Sequence, residues 1–176
     1  AVAYADPEPG GTLLVLGRVS NLPTVWTNVA VGWFLSGGGW TGEFVWLALG
    51  MSLVYVAGMT LNDACDAAWD RLHAPGRPIP SGRIGRGAGW VAGCVEMAAG
   101  TAILLGATTV HPLLVPGLVA AILLYNWLHK RWTGSVLVMG LCRALVYIGA
   151  GSAVAVHTQS LEVPTTVFVL AAGVVL

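Results

Sequence analysis

The stretch from Phe44 to Leu61, FVWLALGMSLVYVAGMTL, runs without a charge directly into Asn62-Asp63-Ala64-Cys65-Asp66-Ala67-Ala68-Trp69-Asp70. Its 18 uncharged residues come close to the roughly 20 that carry a helix across a bilayer. Immediately after it, three carboxylates and an amide fall within nine residues. Positions 62, 66 and 70 are spaced i, i+4, i+8, so on a helix they drift by only about 80° and share a face. Asp63 lies about 100° round from Asn62, still close enough to contribute at the same end. Like charges at this spacing destabilise a helix, by more where water is scarce. The cluster therefore implies a cation among the oxygens. Hard oxygen ligands without a Cys or His cage point to Mg²⁺, which commonly brings substrate phosphate with it.

The rest of the chain sets the environment. It is 56% hydrophobic and 9% charged, with a mean hydropathy of +0.78. A soluble domain carries about 25% charged residues. Net charge is zero, which leaves no basic field to attract nucleic acid. Cys65, Cys94 and Cys142 are an odd number, far apart and inside apolar runs, so they read as packing residues rather than a disulfide framework. The first twelve residues lack the basic start of a secretory signal.

Six apolar segments predict helical spans at roughly 12–35, 43–62, 87–108, 112–128, 135–156 and from 164 onward. They are continuously apolar rather than alternating, which disfavours a transmembrane β-barrel. Alternating the spans puts Arg18, Arg71, Arg77, Arg83, Arg86, Lys130 and Arg131 on one side, while the opposite loops near 36–42, 109–111 and 157–163 carry no Lys or Arg. Seven against none predicts that the first side, with the N-terminus and the acidic cluster, is cytoplasmic. Trp40, Trp90, Trp127 and Trp132 fall near span ends and read as interfacial anchors. The expected architecture is all-α, a polytopic helical bundle in one membrane domain over 1–176.

After the cluster comes Arg71-Leu72-His73-Ala74-Pro75-Gly76-Arg77-Pro78-Ile79-Pro80-Ser81-Gly82-Arg83. Three prolines and two glycines stop the helix and force a stiff turn. Arg77, Ser81 and Arg83 on that turn are donors suited to phosphate oxygens. Acidic oxygens for a metal beside arginines for an anion fit a metal–diphosphate site. Glu96 and Arg143 fall inside spans, where charges face the bundle interior or a partner, and they are candidates to pair with each other or to line a cavity. His111 and His157 sit at the opposite face without a second ligand at metal spacing.

Asn62-Asp63-x-x-Asp66-x-x-x-Asp70 followed by Arg77-Pro78-Ile79-Pro80-Ser81-Gly82 resembles the first aspartate-rich motif of the UbiA superfamily of intramembrane prenyltransferases, NDxxDxxxD followed by RPL/IxSG. Arg18-Val19-Ser20-Asn21-Leu22-Pro23-Thr24 resembles its first-helix Arg and Asn signature, and Tyr125-x-x-x-His129-Lys130-Arg131 its Tyr–Lys–Arg element at the end of helix four. The similarity spans residues 18 to 131. It implies a bundle of nine spans, about six of them in this chain, with a central cavity open toward the lipid. The implied activity is Mg²⁺-dependent transfer of an isoprenoid group from a prenyl diphosphate to an acceptor, often aromatic, in the cell inner membrane.

Carried over, Asn62, Asp66 and Asp70 hold the metal with Asp63 in support, and Asp66 and Asp70 are the catalytic pair. Arg18, Lys130 and Arg131 hold the diphosphate, Arg77 closes the loop over it, and Asn21 and Tyr125 belong to the substrate cavity. Tyr125, Trp127 and Trp69 are candidates for an aromatic wall around an allylic cation. The family's second Asp-rich motif follows the sixth span, and this chain reads as an N-terminal piece ending inside that span. The 176 residues alone are therefore expected to be inactive. Two other readings compete. A non-catalytic UbiA-like protein carrying a prenyl lipid or pigment precursor has no evident need of three clustered carboxylates. A CDP-alcohol phosphotransferase begins its motif Asp-Gly-x-x-Ala-Arg, which is absent here.

Overall fold

Thr41 starts the central helix: its hydroxyl accepts from the backbone N–H of Phe44 at 3.4 Å, and Glu43 sits in the first turn where the helix dipole favours an anion. The helix then meets no proline until Pro75, and it continues without a break to His73. In this computed structural model, which describes residues 9–157 and 163–173, the elements are α1 (Pro9–Leu16), a single 3₁₀ turn (Val19–Asn21), α2 (Leu22–Leu35), α3 (Gly42–His73), α4 (Arg86–Ala107), α5 (Leu114–Leu128), α6 (Ser135–His157) and α7 (Thr165–Gly173). Among the described residues there is no strand, and the three cysteines are free.

Three helices, α3, α4 and α6, are long and apolar enough to cross a membrane. The 32 residues of α3 measure roughly 48 Å at 1.5 Å per residue, against a hydrocarbon thickness of about 30 Å. The last turns, with the carboxylates, therefore project past the apolar layer. The outward faces keep large apolar side chains exposed, among them Trp46, Leu49, Val91, Val95, Leu123 and Leu137, as a lipid-facing surface requires.

One predicted span is not a single helix. The segment 12–35 breaks between α1 and α2, where Arg18 takes φ 47°, ψ 45°. Pro23 in the first turn of α2 lacks an N–H, which suits a helix start and not a helix interior. Of the loop expected at 157–163, residues 158–162 lie outside the described residues, as does the N-terminus at 1–8.

α3 packs chiefly on α4, and α6 packs on α2, α5 and α7. The α3–α4 contact rests on small residues. A Cβ built at Gly100 meets the carbonyl oxygen of Gly50 at 2.9 Å, and one at Gly93 meets Leu61 at 2.7 Å. On the other side of the bundle, a Cβ at Gly32 meets the carbonyl oxygen of Tyr147 at 2.5 Å. Backbones this close need glycine, as in many membrane helix pairs. The main core fills the space between these contacts with Val29, Trp33, Leu47, Met51, Val54, Leu118 and Ala153. A second, smaller core joins Leu16 of α1, Ala64 and Ala67 of α3 and Ile79 of the following loop. It clamps α1 and the loop onto the end of α3 that carries the carboxylates.

Candidate functional site

The residues after α3 form a self-bonded turn. Gly82 takes φ +80°, open to glycine without strain. Ser81 Oγ donates to the carbonyl of Pro78 at 3.1 Å, Arg83 Nε donates to Ser81 Oγ at 3.1 Å, and Arg83 Nη2 donates to the carbonyl of Gly76. Ser81 and Arg83, expected as phosphate donors, are instead the internal bracing of the loop. The brace leaves Arg77 directed back at α3.

Asn62, Asp63, Asp66 and Asp70 are all buried, Asp70 completely. Two networks hold them. In the first, Arg77 Nη1 lies 2.6 Å from Asp70 Oδ2 and 3.4 Å from Asp63 Oδ1, and Arg18 Nη2 reaches the same Asp63 oxygen at 3.5 Å. The left-handed backbone at Arg18 costs on the order of 1–3 kcal/mol, and it sits where the chain must turn a cation from the start of α2 onto α3. In the second network, His129 Nε2 lies 2.8 Å from Asp66 Oδ2, with Lys130 Nζ at 3.7 Å. Asn62 Nδ2 donates to Asn126 Oδ1 at 3.3 Å and lies 3.4 Å from His129 Nδ1. Asn126 Nδ2 donates in turn to the carbonyl of Gly58 at 3.1 Å. His129 Nδ1 also lies 3.4 Å from the carbonyl oxygen of Asn126, so that nitrogen faces a donor and an acceptor at equal distance.

Helix geometry explains the division. Residues 63 and 70 are two turns apart and nearly eclipsed, whereas 62 and 66 share the neighbouring stripe that faces the end of α5. The four residues are thus one patch with two sets of protein cations. Among the described residues no group of three His, Cys, Asp or Glu side chains converges as a ready metal cage. The donor chemistry nevertheless fits a hard divalent cation. All the acidic donors are oxygen, and the buried Asp70 Oδ1 has no hydrogen-bond partner, an oxygen left open for a ligand.

Below the first network lies a cavity of about 420 Å³ between α2, α3, α5 and α6. Arg18, Asn21, Tyr125 and Asn126 line it toward the carboxylate end, and Met51, Val54, Leu118, Ile122 and Met139 form much of its apolar wall. Asn21 and Tyr125 both line this cavity, and Tyr125 stacks on His129 with ring centroids 5.3 Å apart. Trp69 and Trp127 do not line this cavity. They border a separate groove, between α3, α4 and α5, with Trp90, Arg86, Lys130 and Arg131. There Lys130 Nζ sits 3.8 Å from the Trp69 ring centroid and Arg131 lies over Trp127. Arg131 makes no ion pair with the carboxylates. Glu96 and Arg143 do not pair either: Glu96 is on α4, which packs on α3, while Arg143 on α6 lines the cavity.

His129 and Asn126 join the site without having been expected there from the sequence. A signal existed for the first: a histidine beside Lys130, at the same membrane end as three aspartates, is a natural carboxylate partner.

A family model, described as the UbiA prenyltransferase family, matches residues 22–176. The chain is 34% identical over 76 residues to digeranylgeranylglyceryl phosphate synthase of Korarchaeum cryptofilum (strain OPF8), covering 43% of this chain and 27% of that protein. It is 37% identical over 83 residues to the bacteriochlorophyll synthase 33 kDa chain of Cereibacter sphaeroides, covering 44% of this chain and 27% of that protein. A solved structure concerning digeranylgeranylglyceryl phosphate synthase in membranes superposes with a TM-score of 0.80 at 19% identity, covering 96% of this chain and 59% of the other. The apo structure of a UbiA homologue from Aeropyrum pernix K1 superposes at 0.69 with 20% identity, covering 96% of this chain and 60% of that one. The fold is shared, and the matched stretch is about a quarter of each curated relative.

Proposed function

The chain belongs to the UbiA prenyltransferase family, and from that premise we propose that it supplies the donor half of a site transferring an isoprenoid group from a prenyl diphosphate to a small acceptor within a membrane. The acidic cluster lies on the cytoplasmic side in this reading. The observation that carries it is the buried row Asp63, Asp66 and Asp70, paired with Arg77 and with Arg18, which also lines a largely apolar cavity. Neither a packing role nor a topology signal asks for three buried carboxylates.

A divalent cation, Mg²⁺ by its preference for hard oxygen ligands, would be held by Asp66 and Asp70 with Asn62 and Asp63 alongside, and it would neutralise the diphosphate leaving group. The chain's own residues supply the rest. Arg77 and Arg18 neutralise Asp70 and Asp63 in the structure described, and they are the cations nearest an arriving diphosphate. As the allylic C–O bond breaks, negative charge grows on the departing oxygens, and guanidinium groups already in position stabilise it without reorganising water. Lys130 acts from the opposite side of the row, held by Asp66 and the Trp69 ring. The apolar cavity takes the isoprenoid tail and excludes the water that would capture the allylic cation.

The test is prenyl diphosphate turnover by the full-length protein. Asp66→Ala and Asp70→Ala are each expected to lower it by roughly 100-fold or more, on the scale of losing an electrostatic stabiliser. Undiminished turnover in either variant would rule the reading out. Prenyl diphosphate binding without transfer, to any of a broad set of acceptors, would favour a carrier.

A further inference from the structure

Seven of the eight Lys and Arg residues gather at the carboxylate end, and Arg143 does not. It stands eight residues into α6, roughly 12 Å along the helix from Ser135. Among the described residues no carboxylate lies within ion-pair distance of its guanidinium, and no hydrogen bond holds it. A cation at that depth is costly, and where it faces a cavity rather than a partner it marks a ligand site.

The surroundings suit an anion. Arg143 lines the same cavity as Asn28 of α2. The hydroxyl of Tyr147, one turn further along α6 from Arg143, donates to Asn28 Oδ1 at 3.0 Å. That bond uses one lone pair of the Asn28 amide oxygen and leaves its NH₂ as a donor on the wall of the cavity that Arg143 also lines. The neighbouring wall, with Met51, Leu118 and Met139, offers no negative charge. The prenyl diphosphate has its own cations at the mouth, so Arg143 is a second positive centre deeper in the cavity.

We propose that Arg143, with Asn28, forms an anion subsite that receives an acidic group, a carboxylate or a phosphate ester, on the acceptor. The acceptor is then an anionic small molecule, not a neutral ring or alcohol, and Arg143 determines specificity by fixing its orientation. This rests on the reading of the cavity as the site of prenyl transfer.

The experiment measures ligand-induced melting shifts and titrations of the full-length protein in neutral phosphatidylcholine nanodiscs. The probes are 4-hydroxybenzoate, glycerol phosphate, neutral 4-hydroxybenzamide, inorganic phosphate and geranylgeranyl diphosphate. At least one of the first two is expected to bind the native protein, and to bind Arg143→Met and Arg143→Gln at least tenfold more weakly. Arg143→Lys is expected to keep part of the affinity, and the benzamide to give no shift in any variant. Geranylgeranyl diphosphate should shift all of them equally, which also shows that the variants are folded.

The proposal is overturned if neither organic anion binds, if acid and amide bind alike, or if Arg143→Met keeps the anion. Equal binding of inorganic phosphate would mark an unspecific anion site, and loss of geranylgeranyl diphosphate in Arg143→Met would move the residue to the donor; either outcome removes the acceptor assignment. If geranylgeranyl diphosphate fails to bind even the native protein, the prenyl-transfer reading fails, while the comparison of acid with amide still reads Arg143.

Discussion

The two halves of α3 are held by different physics. From Gly42 to Leu61 the helix is fixed by close backbone approach: glycine at 100 on α4 lies over Gly50, and Leu61 lies over Gly93. From Asn62 to His73 the small core of Leu16, Ala64, Ala67 and Ile79 packs one face, and charge is added to it, through Arg18 and Arg77 on one stripe and His129 and Lys130 on the next. Packing of the first kind has one solution, because filled space cannot be refilled by a ligand. Ion pairs of the second kind can be exchanged, since a metal or a diphosphate can replace a guanidinium or a carboxylate as partner. One continuous helix thus gives a rigid base to a set of oxygens whose partners can change.

The comparison breaks first at the glycines. Gly100→Ala places a methyl 2.8 Å from Val54 and 2.9 Å from the Gly50 carbonyl, and overpacking of this kind costs about 1–3 kcal/mol. The expected result is a fall in melting temperature larger than that of Arg77→Met or His129→Gln, and unchanged by added Mg²⁺. A mild loss, or rescue by the cation, would mean that the apolar half is as adaptable as the charged one.

Next comes Arg77→Met. It leaves the wholly buried Asp70 facing Asp63 with its nearest cation gone. Stranding a buried carboxylate costs several kcal/mol in a closed interior, and about 1–2 kcal/mol is expected for Asp70 because Arg77 is one-third exposed. In contrast to Gly100→Ala, a divalent cation should restore most of the loss by replacing the missing charge. Melting curves with and without Mg²⁺ measure it, and an equal deficit in both would show that Arg77 is plain scaffolding.

These two variants also mark how far the amino-acid sequence is legible. The helical class, the end at which the cations gather and the carboxylate patch follow from hydropathy and 3.6-residue periodicity, which are local properties. The break before α2 has a local signal in Pro23, whereas the meeting of Arg18 with Asp63, a residue 45 positions away, does not. Ser81 and Arg83 depart from expectation for a related reason. Residue type marks them as donors, while the fold of the loop decides that their acceptors are its own carbonyls and each other. Trp69 and Trp127 have the right chemistry for a cavity wall and lie on the wrong side of α3, a matter of azimuth that a short motif does not carry.

A smaller effect separates the two stripes of the charged half. His129→Gln keeps a side chain able to donate to Asp66 but removes the aromatic face on which Tyr125 stacks. A loss of about 1 kcal/mol is expected, the scale of one hydrogen bond with its stacking contact. Affinity for a prenyl diphosphate should fall less than in Arg77→Met, because Lys130 remains beside Asp66. Titration of both variants with the same diphosphate orders them. If His129→Gln proved the weaker binder, the α5 stripe rather than the loop would be the principal anion contact, and the division of labour between the two networks would be reversed.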